Sequence, residues 1–157
     1  MMRVGMGFDV HPFSDDPDRP LVLGGVTVAH DRGLAGHSDA DVIAHAAADA
    51  LLGAAGLGDI GTHFPDTDPT WRGADSLRIL GGVAELVASD GWTVANVDVS
   101  VVLEVPKLAP YREEMGRTLG AVLGAPVSVK AKRAEGLGAI GRREGIACYA
   151  VALLEKP

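Results

Sequence analysis

Residues 7–13 read GFDVHPF, with Asp9 and His11 two positions apart and Phe8 and Val10 interleaved. In an extended chain, alternate side chains take opposite faces, so the carboxylate and the imidazole point one way together. A second set, Asp41, His45 and Asp49, recurs every four residues in the alanine-rich stretch GLAGHSDADVIAHAAADALLGAAG. On a helix these three share a face, and the aspartates are placed to orient the His45 ring. Asp9, His11 and His45 together offer two imidazoles and one carboxylate, a donor set suited to zinc. Three protein ligands leave a fourth position open, as a catalytic zinc requires. The same residues have plainer uses. Asp-x-His is common on strands, a helical histidine is often a hydrogen-bonded core residue, and spacing alone does not bring residue 45 beside residue 9.

The elements that must position these residues follow from the pattern. Residues 2–11 read as a strand, and PLVLGGVTV (20–28) as two short strands turning at Gly24–Gly25. Ser38 is placed as the N-cap of a first helix, with Asp41 completing a capping-box-like pair and Gly56 as its stop. LGDIGTHFPDTDPTW reads as a long loop, followed by a helix over about 74–89 that Gly81 and Gly82 weaken. In 95–105, Val97, Val99, Val101, Leu103 and Val105 alternate with polar residues as a strand that Pro106 ends. Pro110 begins a third helix running to about Leu123, and PVSVKAK and IACYAVALLE close the chain as strands. The last is apolar on both faces, which asks for a second layer or another subunit. The expected fold is α+β: one domain over 1–157, a mainly β sheet covered by helices on one face.

At 157 residues, 47% apolar and 22% charged, the chain is long and apolar enough for a real core, which sets disorder aside. No run approaches a membrane span, and MMRVGMGFDV lacks the layout of a signal peptide. The single cysteine, Cys148, cannot form an internal disulfide and suits a cytoplasmic protein. A net charge of −7 argues against a general nucleic-acid binder, though not against a phosphate-bearing small molecule neutralised by metal ions or local cations.

The segments GFDVH, GLAGHSDADVIAHA, DALLGAAGLGDIGTHFPDTDP, NVDV, PKL and EGLGAIGRREGIACYAVALL span residues 5–154. Together they resemble the 2-C-methyl-D-erythritol 2,4-cyclodiphosphate synthase family of non-mevalonate isoprenoid biosynthesis. The resemblance implies cyclisation of 4-diphosphocytidyl-2-C-methyl-D-erythritol 2-phosphate with release of CMP, the substrate's own 2-phosphate attacking the β-phosphorus. It implies zinc on Asp9, His11 and His45, and magnesium or manganese on Glu135 bridging the diphosphate. It implies that His37 and Ser38 line the phosphate end, with His37 donating a hydrogen bond in the transition state. Asp59, Ile60 and Gly61 of GDIG, with Phe64 and Asp66, are then expected at the methylerythritol. Leu103, Pro106, Lys107, Leu108 and Ala109, with Ala131, Lys132 and Arg133, are expected at the cytidine diphosphate. A homotrimer is implied, with active sites between subunits and an axial cavity for an isoprenoid diphosphate.

The chain departs from the family pattern in KAKRAEGLG, where Lys132 and Arg133 stand at positions expected to be threonine. Arg133 can still donate to a phosphate oxygen, so activity with altered nucleotide contacts is expected. Ala139 stands where an aromatic residue is common, which weakens the case for an isoprenoid in the axial cavity, although Phe8, Arg142 and Glu144 remain. Several of these residues have ordinary alternatives: Asp68 as a turn former, Lys107 as a solvated lysine, Arg142 as an ion-pair partner of Glu144. Two rival functions stand beside the synthase. One is a zinc phosphohydrolase on the same scaffold; the other is a non-catalytic trimeric module that binds a nucleotide or isoprenoid phosphate.

Overall fold

The first strand, β1 (Met2–Pro12), turns its glycines inward and its large apolar residues outward. Gly5 and Gly7 are buried, Asp9 and His11 follow on the same face, and Met2, Val4, Met6, Phe8 and Val10 occupy the other. The computed structural model, which describes residues 1–157, continues with the hairpin β2 (Leu21–Leu23) and β3 (Val26–Val28). Helix α1 (Val42–Ala55), the one-turn α2 (Ile60–His63), a 3₁₀ turn (Pro69–Trp71) and α3 (Ser76–Ser89) come next. Then follow β4 (Thr93–Val102), α4 (Arg112–Leu123), β5 (Val127–Lys132), the one-turn α5 (Gly138–Gly141) and β6 (Gly145–Glu155).

The main sheet has the order β1-β6-β4-β5, with β4 and β5 parallel and the other neighbours antiparallel. The chain is therefore an α+β domain with a mixed four-stranded sheet, and α4 is the crossover that joins its parallel pair. Helix α1 lies on the inner face of β1 and β6. It is buried on nearly all sides (Ile43, Ala46, Ala47, Ala50, Leu51 and Leu52 among others) because α3 covers its outer flank. Leu80, Met115, Leu119, Val99, Val101, Ile146 and Leu154 fill the same core. Each such side chain taken out of water contributes about 1.5–3 kcal/mol.

Small residues set the distance between β1 and α1. A Cβ on Gly5 would stand 2.0 Å from the Ala50 carbonyl oxygen, and one on Gly7 would stand 1.9 Å from that of Ala46. The helix presents alanines to this strand, so its backbone rides almost on the strand's own backbone. The sequence pattern for β1, the hairpin and the last two strands agrees with the structure.

Three expectations need correction. Ser38 is not the cap of α1: Ala40 has a left-handed φ of 58°, which ends any helix before it, and Asp41 is the N-cap. Asp41 therefore lies outside the helix and does not orient His45. Its buried carboxylate accepts from the N–H groups of Ile43 and Ala44, and from those of Gly24 and Gly25, tying the hairpin to the helix start. Strand β4 stops at Val102 and not at Val105, because residues approaching Pro106 leave the ladder. The last strand is apolar on both faces as the sequence indicates, and within this chain its second face is covered only in part. Ile146, Cys148, Ala150 and Ala152 face the core, while Val4, Met6, Phe8, Val10, Tyr149 and Val151 form an outer sheet face 44–69% exposed.

Two glycines give a paired test of the strand–helix contact. Gly7→Ala should cost about 1–3 kcal/mol or more in urea unfolding, as overpacking of a tight core does. Gly53, in α1 with nothing nearer than 3.9 Å to a built Cβ, should stabilise by about 0.5–1 kcal/mol as alanine.

Candidate active site

The close approach of α1 to β1 brings residue 45 to residue 9. Asp9 Oδ2 lies 3.1 Å from His11 Nε2 and 3.1 Å from His45 Nδ1. The candidate ligand atoms of the three residues all lie within 4.8 Å of one another. The back of each ring is held by protein. His11 Nδ1 lies 2.8 Å from the Ala35 carbonyl oxygen, which can only accept, so Nδ1 carries hydrogen and Nε2 offers a lone pair. His45 Nε2 lies 2.8 Å from Ser76 Oγ and 3.2 Å from Ser38 Oγ. Two ring nitrogens and a carboxylate oxygen thus turn toward one point and repel unless a cation lies among them. A proton can do this, and so can a divalent metal; the donor set fits zinc, and Asp49 takes no part because its carboxylate accepts from the Ile60 N–H.

The charges respond as this crowding requires. Burial by itself would raise Asp9, but in the metal-free cluster, where a proton takes the cation's place, hydrogen bonds from the His11 and His45 rings overrule it and hold the carboxyl well below its usual range. Burial would likewise lower His11, yet its hydrogen bond to Asp9 and the charge of that carboxylate raise it above the ordinary histidine value.

A cleft of about 490 Å³ opens beside the cluster, lined by His11, His37, Ser38, His45, Ile60, Gly61, Phe64, Asp66 and Trp71, with Gly36, Pro65 and Ile79 completing it. Phe64 and Trp71 meet edge to face at 4.9 Å and make its apolar wall. Asp59 is outside this lining and caps α2 through the Thr62 N–H and hydroxyl. Asp68 takes the turn-forming role, accepting from the Thr70 N–H.

A separate cavity of about 650 Å³ gathers Leu103, Pro106, Lys107, Leu108 and Ala109 with Ala131, Lys132 and Arg133. Arg112, Arg143, Val105 and Glu104 complete its wall. Five of the chain's 14 lysines and arginines line it, a local excess of positive charge on an acidic protein. Arg133 is engaged by Glu104, through Nε at 3.0 Å and through Nη2. Glu104 also accepts from the Gly136 N–H, so it binds both ends of the turn that carries Glu135. Glu135 itself is exposed, with a left-handed φ of 55°, and is not among the residues that converge with Asp9, His11 and His45. Ala139 and Arg142 line neither space, and Arg142 donates to Glu144 at 2.7 Å.

Sequence reasoning missed Ser76, Asp39, Trp71, Arg112 and Arg143. Ser76 sits in a helix start, where serine is ordinary, and nothing in the local pattern points it at His45.

A family model described as the YgbB family matches residues 2–155. The chain belongs to the YgbB family. A relative in this family, the 2-C-methyl-D-erythritol 2,4-cyclodiphosphate synthase of Syntrophobacter fumaroxidans, is 57% identical over 156 residues, covering 98% of this chain and 97% of that one. The IspF–CDP complex of Plasmodium falciparum superposes with a TM-score of 0.85 at 35% identity, covering 99% of this chain and 97% of that one. The bifunctional IspDF of Campylobacter jejuni superposes with a TM-score of 0.94 at 40% identity; all of this chain matches, spanning 43% of that longer one.

The Asp9–His11 pair makes the metal-free chain sensitive to pH in a defined direction. Asp9, depressed, adds stability above about pH 4 that is lost as pH falls through its lowered folded value. His11, raised, adds stability below about pH 6.5 that is lost as pH rises through its folded value. With chelator present, the melting temperature should therefore fall on the alkaline side, and Asp9→Asn should flatten that fall.

Proposed function

We infer that this chain is a 2-C-methyl-D-erythritol 2,4-cyclodiphosphate synthase of non-mevalonate isoprenoid biosynthesis, a phosphorus–oxygen lyase. The observation that carries the reading is the convergence of Asp9, His11 and His45 beside a cleft in a chain 57% identical to such an enzyme over nearly its whole length. In the reaction, an oxygen of the substrate's 2-phosphate bonds to the β-phosphorus. The α–β anhydride bond breaks, and CMP leaves with the bridging oxygen. The nucleophile belongs to the substrate, so the protein's task is to position two anionic groups and to withdraw charge from them.

Asp9, His11 and His45 would hold zinc, which when bound supplies a Lewis acid for a phosphate oxygen. His37 and Ser38 border the cleft where the phosphates would enter, His37 as a hydrogen-bond donor. Phe64 and Trp71 exclude water, and Asp66 would accept from a methylerythritol hydroxyl. The cation-lined cavity suits the cytidine diphosphate: the backbone from Leu103 to Ala109 can read the base edge, while Lys107 and Lys132 meet phosphate oxygens. Glu135 would be the sole protein carboxylate on a magnesium or manganese ion, a usual arrangement for a metal that keeps several waters. Arg133, neutralised in part by Glu104, acts here as a wall of the nucleotide cavity more than as a free phosphate clamp.

A homotrimer completes the site. Within one chain the zinc cleft and the cation-lined cavity are separate spaces, and the outer apolar face of β1 and β6 has no cover. Packing three copies about an axis buries that face and lets the cleft of one subunit meet the nucleotide cavity of the next. Phe8 and Arg142 then stand near the axis, where the absence of an aromatic side chain at Ala139 argues against tight isoprenoid diphosphate binding. The lone, buried Cys148, whose thiol burial pushes far up, suits a reducing cytoplasm.

Incubation with the diphosphocytidyl 2-phosphate substrate, zinc and magnesium should release CMP and the cyclic diphosphate in equal amounts. His45→Ala should lower kcat roughly a hundredfold or more, and Arg133→Thr should change kcat little. Release of CMP with water incorporated would identify a phosphohydrolase instead, and no release a binding module. Val151→Asp should convert a trimer into monomers by light scattering and abolish turnover while each chain keeps its circular dichroism; a persisting trimer would refute this interface.

A further inference from the structure

Behind the metal-binding face of His45 lies a hydrogen-bonded chain that none of the assigned roles uses. Ser76 is 1% exposed and sits at the first turn of α3, distant in sequence from the cluster. Its hydroxyl meets His45 Nε2 at 2.8 Å and, in a short contact, Asp39 Oδ1, with Ser38 Oγ farther off at 3.5 Å. The second oxygen of Asp39 accepts from the Ser76 backbone N–H at 3.1 Å. A carboxylate can only accept, so the hydroxyl hydrogen goes to Asp39 and the Ser76 oxygen turns a lone pair toward His45. His45 Nε2 must then carry hydrogen, which leaves Nδ1 bare and directed at Asp9 Oδ2.

We propose that Ser76 and Asp39 are positioning residues for the metal: the Asp39–Ser76–His45 chain selects Nδ1 as the ligand atom and strengthens it as a donor. The inference rests on the metal reading of the Asp9–His11–His45 cluster given above. A hydrogen bond running from imidazole through a hydroxyl to an anion raises the basicity of the opposite ring nitrogen, as a carboxylate behind a metal-bound histidine does. Geometry supports a role beyond anchoring the helix. Helix α3 already has its cap, Asp75, which accepts from the Leu77 N–H. The backbone N–H of Ser76 secures the tether to Asp39 without the hydroxyl. Ser38 is the weaker partner of the ring: its Oγ lies 3.2 Å from Nε2 and also accepts from the Ala40 N–H.

Ser76→Ala deletes the hydroxyl and keeps the backbone tether, so the two roles separate. Zinc affinity, measured on the full-length chain by competition with a chromophoric chelator, should fall about ten- to a hundredfold in Ser76→Ala. Asp39→Asn should weaken zinc in the same direction, and Ser38→Ala should weaken it less than Ser76→Ala. The metal-free melting temperature of Ser76→Ala should match that of the unaltered chain. Equal zinc affinity in Ser76→Ala and the unaltered chain overturns the proposal. So does a loss of affinity matched by a comparable loss of metal-free stability, which is the signature of a purely structural serine. An unaltered chain that holds no zinc removes the metal reading itself, an outcome distinct from both.

Discussion

The contact between two glycines and a run of alanines sets the geometry on which everything else depends. A side chain at Gly5 or Gly7 would collide with carbonyl oxygens of α1, so helix and strand can meet at this distance only if both surfaces are nearly bare backbone. The strand pleat then carries Asp9 and His11 onto the same face, one and two alternations farther along. The helix periodicity places His45 at the height of Asp9. A bulkier packing layer would hold the helix away and leave the His45 imidazole out of reach of the Asp9 carboxylate. The tight layer also explains the unusual distribution of polarity in β1, whose apolar side chains are turned away from the chain's own core.

That inversion has a second consequence. Once small residues face α1, the large residues of β1 and their neighbours on β6 must point outward, where the tilted rings of Phe8 and Tyr149 meet at 4.9 Å and stay half exposed. The close Asp9–His11–His45 cluster and the uncovered apolar face thus come from one strand. Along β1 from Val4 to His11, odd-numbered residues face α1 and even-numbered ones the outer face. The remaining polar groups divide between a histidine-lined cleft and a cation-lined cavity. Lysines and arginines dispersed from residue 107 to residue 143 gather around one of these spaces, although the chain as a whole is acidic.

Much of this organisation was legible in the residues. The period of two in residues 2–11, the unbroken apolar run of 146–154, the Gly24–Gly25 turn and the Gly56 stop give the outer strands, the hairpin and the end of α1, because these signals are local and steric. The resemblance carried by HSDADV, GDIG and FPDTDP placed His37, Ser38, Ile60, Gly61, Phe64 and Asp66 in one neighbourhood, and they line one cleft. Errors fell where two local solutions compete. Ser38 and Asp41 are both good caps, and a left-handed Ala40 between them decides for Asp41. Val105 fits the alternation of β4, yet the nearby Pro106 takes it out of the ladder.

The amino-acid sequence by itself determined which residues are chemically able to act: a carboxylate and an imidazole on one face of a strand, a second imidazole on an apolar helix, and glycines where backbones must touch. Only the tertiary structure decided which of them meet. Asp41 and Asp49, one turn on either side of His45, turn to backbone N–H groups, whereas Ser76, thirty-one residues away, closes on its ring. Hydrogen-bond reach is a few ångströms in space and has no fixed relation to distance along the chain, so the partners of a buried polar group are settled by packing.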